Sequence, residues 1–548
     1  MSDRRPSPLW WVAAFVLHRA LVVALGFDGV WFWEESYRLV VAEALRGGWP
    51  IPLRELQADP YNGGSLVFAG LLAAVSPLVG LSITALKGVA LAWSAAGLAA
   101  WITVADRYFG RTVAHALGLL WIAAPPVLVV FNVVALGSHS DTVTLTGLAT
   151  LAMYRYAGDA RPDNARLAAW MVVAGLGTWF GVFTALPVAI GVLWVLACGA
   201  LPPRKWPLAA AAFAVGLSPW IARTLAVGGT LDVFARTFSP AAGRGYLATL
   251  WDLAVHGVPV ALDFRDIGIP GDVKVHREWI EYPWLAVYAA SFVAVALRLA
   301  ARVRAQLSSL AGTAFSRARN AVAACPEFPV VALFPVFLAV LASTNQEFND
   351  YGTVRWITFR ILAPVVPAML LTIALALARS GSAVRRIVLA AFVAAGLVGT
   401  GQLLVDGAGQ RASVEADASL TGAEAMGHLI VFKHGTDPVA AAIIDALPAG
   451  LRERAWRGVG FSFAYLYGTS RAEAPIAHFV AALLAVDPAH RASAIEGARL
   501  AVGPGLPQVA ALLPSARRDE VAAAIDVAEQ APVAVPDAGD QAAASGRD

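Results

Sequence analysis

Cysteine and charge are both scarce in this chain. Only two cysteines occur among 548 residues, Cys198 inside an apolar run and Cys325 in a basic stretch, which excludes a disulfide framework and a cysteine-built metal site. Charged residues make up 14% of the sequence against 58% hydrophobic, and the mean hydropathy is +0.64, so soluble domains alone would leave too much apolar surface in water. The net charge of +3 is small, and the arginines fall in short segments between apolar runs rather than on one basic face, which argues against nucleic acid as a partner. A phosphate-cradling glycine loop, a His-x-x-x-His pair and a serine-nucleophile elbow in suitable context are also missing. Their absence argues against ATP hydrolysis, zinc hydrolysis and serine esterase chemistry. No small-residue cleavage site follows the first apolar run, so the basic start Met1-Ser2-Asp3-Arg4-Arg5 reads as the head of an uncleaved signal anchor.

What the chain does have is long apolar runs. Spans suited to a hydrocarbon core of ~30 Å are placed near 9–27, 86–105, 112–134, 142–157, 167–182, 183–200, 206–226, 283–301, 329–344, 358–378 and 387–405. A further stretch at 63–82 is interrupted by Asn62-Gly63-Gly64 and Ser76-Pro77 and reads as re-entrant or in-plane. Arg- and Lys-bearing loops at 106–111, 155–166, 202–205, 298–319 and 379–386 then all fall on the cytoplasmic side, together with the N-terminus, by the positive-inside rule. The expected fold is an all-α polytopic membrane protein of about eleven transmembrane helices. Its outer face carries residues 28–62, the link around 138–141, the loop at about 227–282, the 345–357 segment and everything after about 406. Composition divides the chain into a membrane domain (1–405), a small helical outer-face domain (406–530) and a disordered tail (531–548). Within the second of these, Trp456-Arg457-Gly458 and Ile495-Glu496-Gly497 form a faint repeat that is too weak to establish an array.

The candidate chemistry sits on the outer face. Glu34 and Glu35 follow the aromatic cluster Trp31-Phe32-Trp33, which would anchor the span at the interface and keep water from one side of the carboxylates, a setting suited to general-base work. The bland alternative is a helix start whose acidic residues complement the helix dipole. His139 and Asp141 lie in a polar link whose plain role is to cap the helix beginning at Thr142, and whose shortness keeps it near the membrane beside the glutamates. His18 and Arg19 within the first span, and Arg360 at the start of a later one, are costly in a membrane unless paired. A carboxylate such as Glu34, Glu35 or Asp28 would serve Arg19, and a bound phosphate suits Arg360 equally well. Lys274 and His276 belong to an outer loop that could bind an anionic head group or be an ordinary solvated loop.

The order of these features resembles the GT-C superfamily of membrane glycosyltransferases, near the protein mannosyltransferase, aminoarabinose transferase and RgtA/B/C/D-like group. The resemblance covers about 9–405. It rests on Arg19 in the first span, Glu34-Glu35-Ser36-Tyr37, the helix ending Arg46-Gly47-Gly48, Pro60-Tyr61, Arg107-Tyr108-Phe109-Gly110-Arg111, Pro125-Pro126, Asp141, and the late element Arg360-Ile361-Leu362-Ala363-Pro364-Val365-Val366-Pro367. Two departures stand out. Glu34 occupies the place of the family's usual aspartate, moving the carboxylate by more than ~1 Å, and Ile361 replaces a tyrosine.

The resemblance implies transfer of a sugar, with inversion, from a polyprenyl-phosphate donor to a lipid, glycan or protein acceptor on the outer face of the cytoplasmic membrane. On that reading Glu34 or Glu35 is the base and Asp141 positions the acceptor. Arg360, Tyr61, His139, Lys274 and His276 contact substrate. No cofactor is assigned, although Glu34, Glu35 and Asp141 together could hold a divalent cation through oxygen ligands. Two other readings of the residues stay open: a transporter or flippase for a lipid-linked substrate, and a catalytically silent membrane scaffold.

Overall fold

A computed structural model describes residues 7–30, 33–57, 62–137, 141–158, 163–227, 245–263, 281–309, 322–343, 362–414, 422–435, 437–464, 482–483 and 485–502. The described residues are almost entirely helical and include no β-strand. They divide into two compact units, one formed by 1–46 and 56–415, the other by 47–55 and 416–548. The short segment 47–55 therefore belongs with the C-terminal region although it lies between membrane elements in the sequence. The tail 531–548 lies outside the described residues.

The helices of the first unit used below are α1 (Trp10–Val22), α2 (Trp33–Gly47), α3 (Gly64–Val79), α4 (Ile83–Val104), α5 (Arg111–Ile122), α6 (Pro126–Phe131), α7 (Thr142–Ala157), α8 (Asn164–Phe180), α9 (Ala185–Ala197), α10 (Trp206–Val227), α11 (Glu281–Ser309), α12 (Phe328–Leu341), α13 (Val366–Ala378) and α14 (Ser382–Val414). Among the described residues, five segments are long and apolar enough to cross a membrane: Trp10–Phe27, Ile83–Phe109, Pro203–Ala226, Trp284–Ala305 and Ser382–Val405. Large apolar side chains on these segments, such as Leu17, Leu25, Leu225, Leu297 and Ile387, point outward from the bundle. A helix that is apolar on its outer face as well as its inner one is in contact with lipid. The chain is thus an all-helical, multi-pass membrane protein.

Several expected spans are shorter in the structure. The run 112–134 is broken into α5 and α6 at Pro125-Pro126, because proline supplies no backbone N–H to continue the ladder. The stretch 63–82 forms the continuous helix α3, and Ser76-Pro77 does not interrupt it. Pro77 cannot donate to the carbonyl of Ala73, and the Ser76 hydroxyl donates there instead at 2.8 Å. The helix ends one turn short of the expected limit, at Gly80, whose φ of 77° ends it. Its 16 residues span about 24 Å at 1.5 Å per residue.

The bundle is assembled around α4 and α7, which run parallel and touch through small residues. A Cβ on Gly97 would lie 2.6 Å from the Thr144 hydroxyl, and one on Gly147 would lie 2.7 Å from the Trp101 ring. Glycine at these crossings lets the backbones approach, as membrane helices commonly do. At the far end of the bundle Glu327, which precedes α12, joins Arg302 of α11 at 3.0 Å and Arg379 after α13 at 2.6 Å. Burial alone would raise the Glu327 carboxyl, but hydrogen bonds from Arg379 and Arg302 hold it below the ordinary range.

In the second unit, α15 (Ala423–His434), α16 (Pro438–Asp445), α17 (Ala449–Phe463) and α18 (Pro488–Val502) pack with α17 in the middle. The two members of the faint repeat lie on α17 and α18 and pack on each other. A Cβ on Gly497 would meet the Arg457 carbonyl at 1.7 Å, and Arg457 pairs with Glu496 at 3.0 Å and with Glu424 of α15 at 2.9 Å. On the faces of α17, a Cβ on Gly458 would fall 1.8 Å from the Glu424 carbonyl and one on Gly460 would fall 1.6 Å from that of Ala494. Backbone cannot yield by that much without separating the helices, so Gly458→Ala or Gly460→Ala should cost on the order of 3 kcal/mol or more. Limited proteolysis of the full-length protein should then cut within 423–502. Gly450→Ala is the matched control, since nothing lies within 4 Å of its would-be Cβ on the same helix, and it should be neutral or slightly stabilising.

The segment 47–55 is held in this unit by Glu55. Its carboxylate accepts from Lys433 at 3.0 Å and pairs with His434 at 2.8 Å, while Lys433 also donates to the Glu55 carbonyl at 2.7 Å. Burial alone would raise the Glu55 carboxyl, but the Lys433 charge and the hydrogen bonds from His434 and Lys433 overcome it and hold the group at about 2. A depressed carboxyl anchors the segment fully above the ordinary value of 4.5 and releases it as pH falls toward about 2. A trifluoromethyl label on Arg54→Cys, in a Cys198→Ala/Cys325→Ala background, should show this release by NMR across that window. Glu55→Gln should abolish the pH response.

Candidate active site

The acidic pair lies in the first turn of α2. Glu35 is wholly buried, and the Lys87 ammonium donates to both of its oxygens, at 2.7 and 2.8 Å. One of those oxygens also accepts the backbone N–H of Ala135 at 3.1 Å. Lys87 is the single charged residue of α4 and is itself 1% exposed. The Asp28 carboxylate acts on it through space as well. One turn along α2, Arg38 donates through Nε to the Leu136 carbonyl at 2.8 Å and through Nη2 to the same oxygen. The start of α2 is therefore clamped to α4 on one side and to the 135–136 backbone on the other.

The loop that receives these contacts is itself tightly fixed. Gly137 has φ 56°, a left-handed conformation that favours glycine, and a Cβ there would lie 2.5 Å from the Gly64 carbonyl. Asp141 follows and is buried. Its carbonyl accepts from the Trp93 indole at 2.9 Å, and the Thr144 hydroxyl donates to the Trp93 carbonyl at 2.9 Å. The Trp93 ring stacks on Phe180 with centroids 5.1 Å apart. Although Asp141 stands immediately before α7, its side chain makes no capping hydrogen bond, so the plain capping role expected from sequence is not the one it plays. Lys87 and Trp93 are six residues apart on α4, about 9 Å along its axis. Glu35 and Asp141 are thus tied to the same end of one helix, and Glu34, also buried, adjoins Glu35.

Arg19 takes a structural position. It is fully buried and donates to the Ile122 carbonyl at 3.2 Å and the Trp121 carbonyl at 3.1 Å, with its guanidinium 5.2 Å from the Phe15 ring. Those are the C-terminal carbonyls of α5, stranded where Pro125-Pro126 stop the helix. The expected carboxylate partner for Arg19 is replaced by backbone oxygens. Lys87, Arg38 and the Ala135 N–H were not legible as site groups, though a lone lysine inside an apolar run was itself a signal that an acid must meet it. Tyr61, His139, Lys274, His276 and Arg360 lie outside the described residues. Among the described residues no group of three or more His, Cys, Asp or Glu is arranged to hold a metal ion.

Comparison with solved structures finds similarity to the crystal structure of ArnT from Cupriavidus metallidurans bound to undecaprenyl phosphate, at 16% identity and a TM-score of 0.44, covering 92% of this chain and 79% of that one. The apo structure of the same protein matches at 16% identity and a TM-score of 0.42, covering 90% and 75%. No family model matches the chain, and no curated protein does.

Proposed function

We propose that the chain is a GT-C-like glycosyltransferase that moves a sugar from a polyprenyl-phosphate donor to an acceptor hydroxyl, inverting the anomeric carbon, at the membrane face that carries α2. The observation that carries this reading is the clamp on Glu35. With both oxygens engaged by Lys87 and one also by the Ala135 N–H, the buried Glu35 carboxylate fixes the first turn of α2 and with it the neighbouring Glu34. Glu34 is the base on this reading, and Glu35 is a positioning residue. The ordered motifs between Arg19 and Pro367 that resemble the superfamily support it as well.

In the proposed step Glu34 takes the proton of the acceptor hydroxyl and the acceptor oxygen bonds to the anomeric carbon. The bond from that carbon to the phosphate oxygen breaks, and its electron pair leaves with the polyprenyl phosphate. Asp141 orients the acceptor. Negative charge grows on the departing phosphate, which fixed cations stabilise best when they are preorganised. Arg360, Lys274 and His276 are assigned to that task, and Tyr61 and His139 to substrate contact, from their places in the sequence.

The test is the glycan and glycolipid profile of cells carrying wild type, a deletion, Glu34→Gln or Glu35→Gln at matched protein level. One product missing in both the deletion and Glu34→Gln is the expected result. A deletion phenotype that Glu34→Gln and Glu35→Gln each fully restore would remove the transferase reading and favour transport or scaffolding.

A further inference from the structure

A second site lies at the other end of α4 and α7. Between α7, α8 and the π-helical turn Ala105–Phe109 that follows α4 is a cavity of about 530 Å³, lined by Arg107, Arg155 and Arg166 and by an apolar wall that includes Leu148, Leu151 and Val173. It is far from the acidic cluster. Lys87 and Arg107 are twenty residues apart on α4 and its extension, about 30 Å, and Asp141 and Arg155 are fourteen apart on α7, about 21 Å.

The cavity is built as an amphiphile would require. On α7 the apolar residues Leu151 and Leu148 lie four and seven positions before Arg155, and on α8 Val173 lies seven positions after Arg166. Each helix therefore presents its arginine and its apolar side chains on one face, one to two turns apart. The charged mouth is at the helix ends and the apolar wall runs inward along the bundle. Arg166 pairs with Asp163 at 3.1 Å and donates to the Arg155 carbonyl at 3.2 Å, contacts that hold the mouth together. The charged side chains that line the cavity are the three guanidiniums, with the Asp163 carboxylate paired to one of them at its edge.

We infer that this cavity binds an anionic glycerophospholipid, with the phosphodiester among Arg107, Arg155 and Arg166 and the start of one acyl chain along Leu151 and Leu148. Guanidinium forks match phosphate oxygens. Basic pockets between membrane helices take anionic head groups, and the volume lies within the ~300–1,000 Å³ of built ligand sites. A zwitterionic head group would bring its own cation against the three arginines. The inference is independent of the transfer reaction proposed above.

The test uses the full-length protein taken from nanodiscs of equal phosphatidylcholine and phosphatidylglycerol, with retained lipids counted by native mass spectrometry. Wild type is expected to retain phosphatidylglycerol selectively. The Arg107→Gln/Arg155→Gln/Arg166→Gln variant should lose on the order of a hundred-fold, since each arginine near a membrane surface contributes about five-fold. Leu148→Trp, which fills the wall and keeps every arginine, should lose retention as well and guards against a folding defect in the triple variant. Millimolar inorganic phosphate should not displace the lipid. Equal retention of both lipids, displacement by phosphate, or undiminished retention in Leu148→Trp at unchanged melting temperature would each overturn the assignment.

Discussion

Lys87→Met is expected to be the most damaging single substitution in the membrane unit, costing about 3–5 kcal/mol by leaving the Glu35 carboxylate buried without its partner. Nothing in the position of α2 relieves the loss, because Glu35 is wholly buried and Lys87 is 1% exposed. The second variant needed is Lys87→Met/Glu35→Gln. Removing both charges together takes away the uncompensated carboxylate, and replacing a buried pair by neutral side chains is often close to neutral. The double variant should therefore recover most of the thermal stability that the single one loses, measured in detergent by size-exclusion chromatography after heating. A single variant as stable as wild type would mean that the pair does not hold α2.

Glu34→Gln should leave that stability intact and lower the transfer rate by roughly 10²–10⁴-fold, the range expected for removing a general base. Glu35→Gln should behave in the opposite way, with less folded protein because Lys87 is left without its charge partner, and with the surviving fraction retaining turnover. The contrast separates a group that handles the proton from one that positions it. If folded Glu35→Gln lost all transfer while Glu34→Gln kept it, the two roles would have to be exchanged. Glu34→Asp is informative too, since it restores the residue usual in the resembled superfamily but withdraws the carboxylate by more than ~1 Å from where α2 holds it.

How much of this was legible beforehand varies by element. The membrane class was open to reading because burial in lipid demands apolar residues all round a helix, and segments such as Ser382–Val405 carry that signature in composition alone. Helix continuity was harder to read. Pro125 ended a helix and Pro77 did not, and the difference is local: a serine at position 76 stood ready to satisfy the Ala73 carbonyl. The faint repeat around Gly458 and Gly497 was visible as letters, but its meaning as a close crossing of two helices depended on which carbonyl faced each glycine.

By itself the sequence determined that this is a helical membrane protein with an acidic pair at the start of a helix and basic residues at recurring helix ends, since composition and hydrophobic length act on each segment separately. The tertiary structure alone decided which charge meets which. Glu35 lies fifty-two positions from Lys87 and one hundred from Ala135, and Arg19 reaches backbone oxygens more than one hundred positions away rather than an acid. Such pairings follow from the packing of whole helices, where the cost of leaving a buried charge unmet is paid by whatever partner the fold brings near.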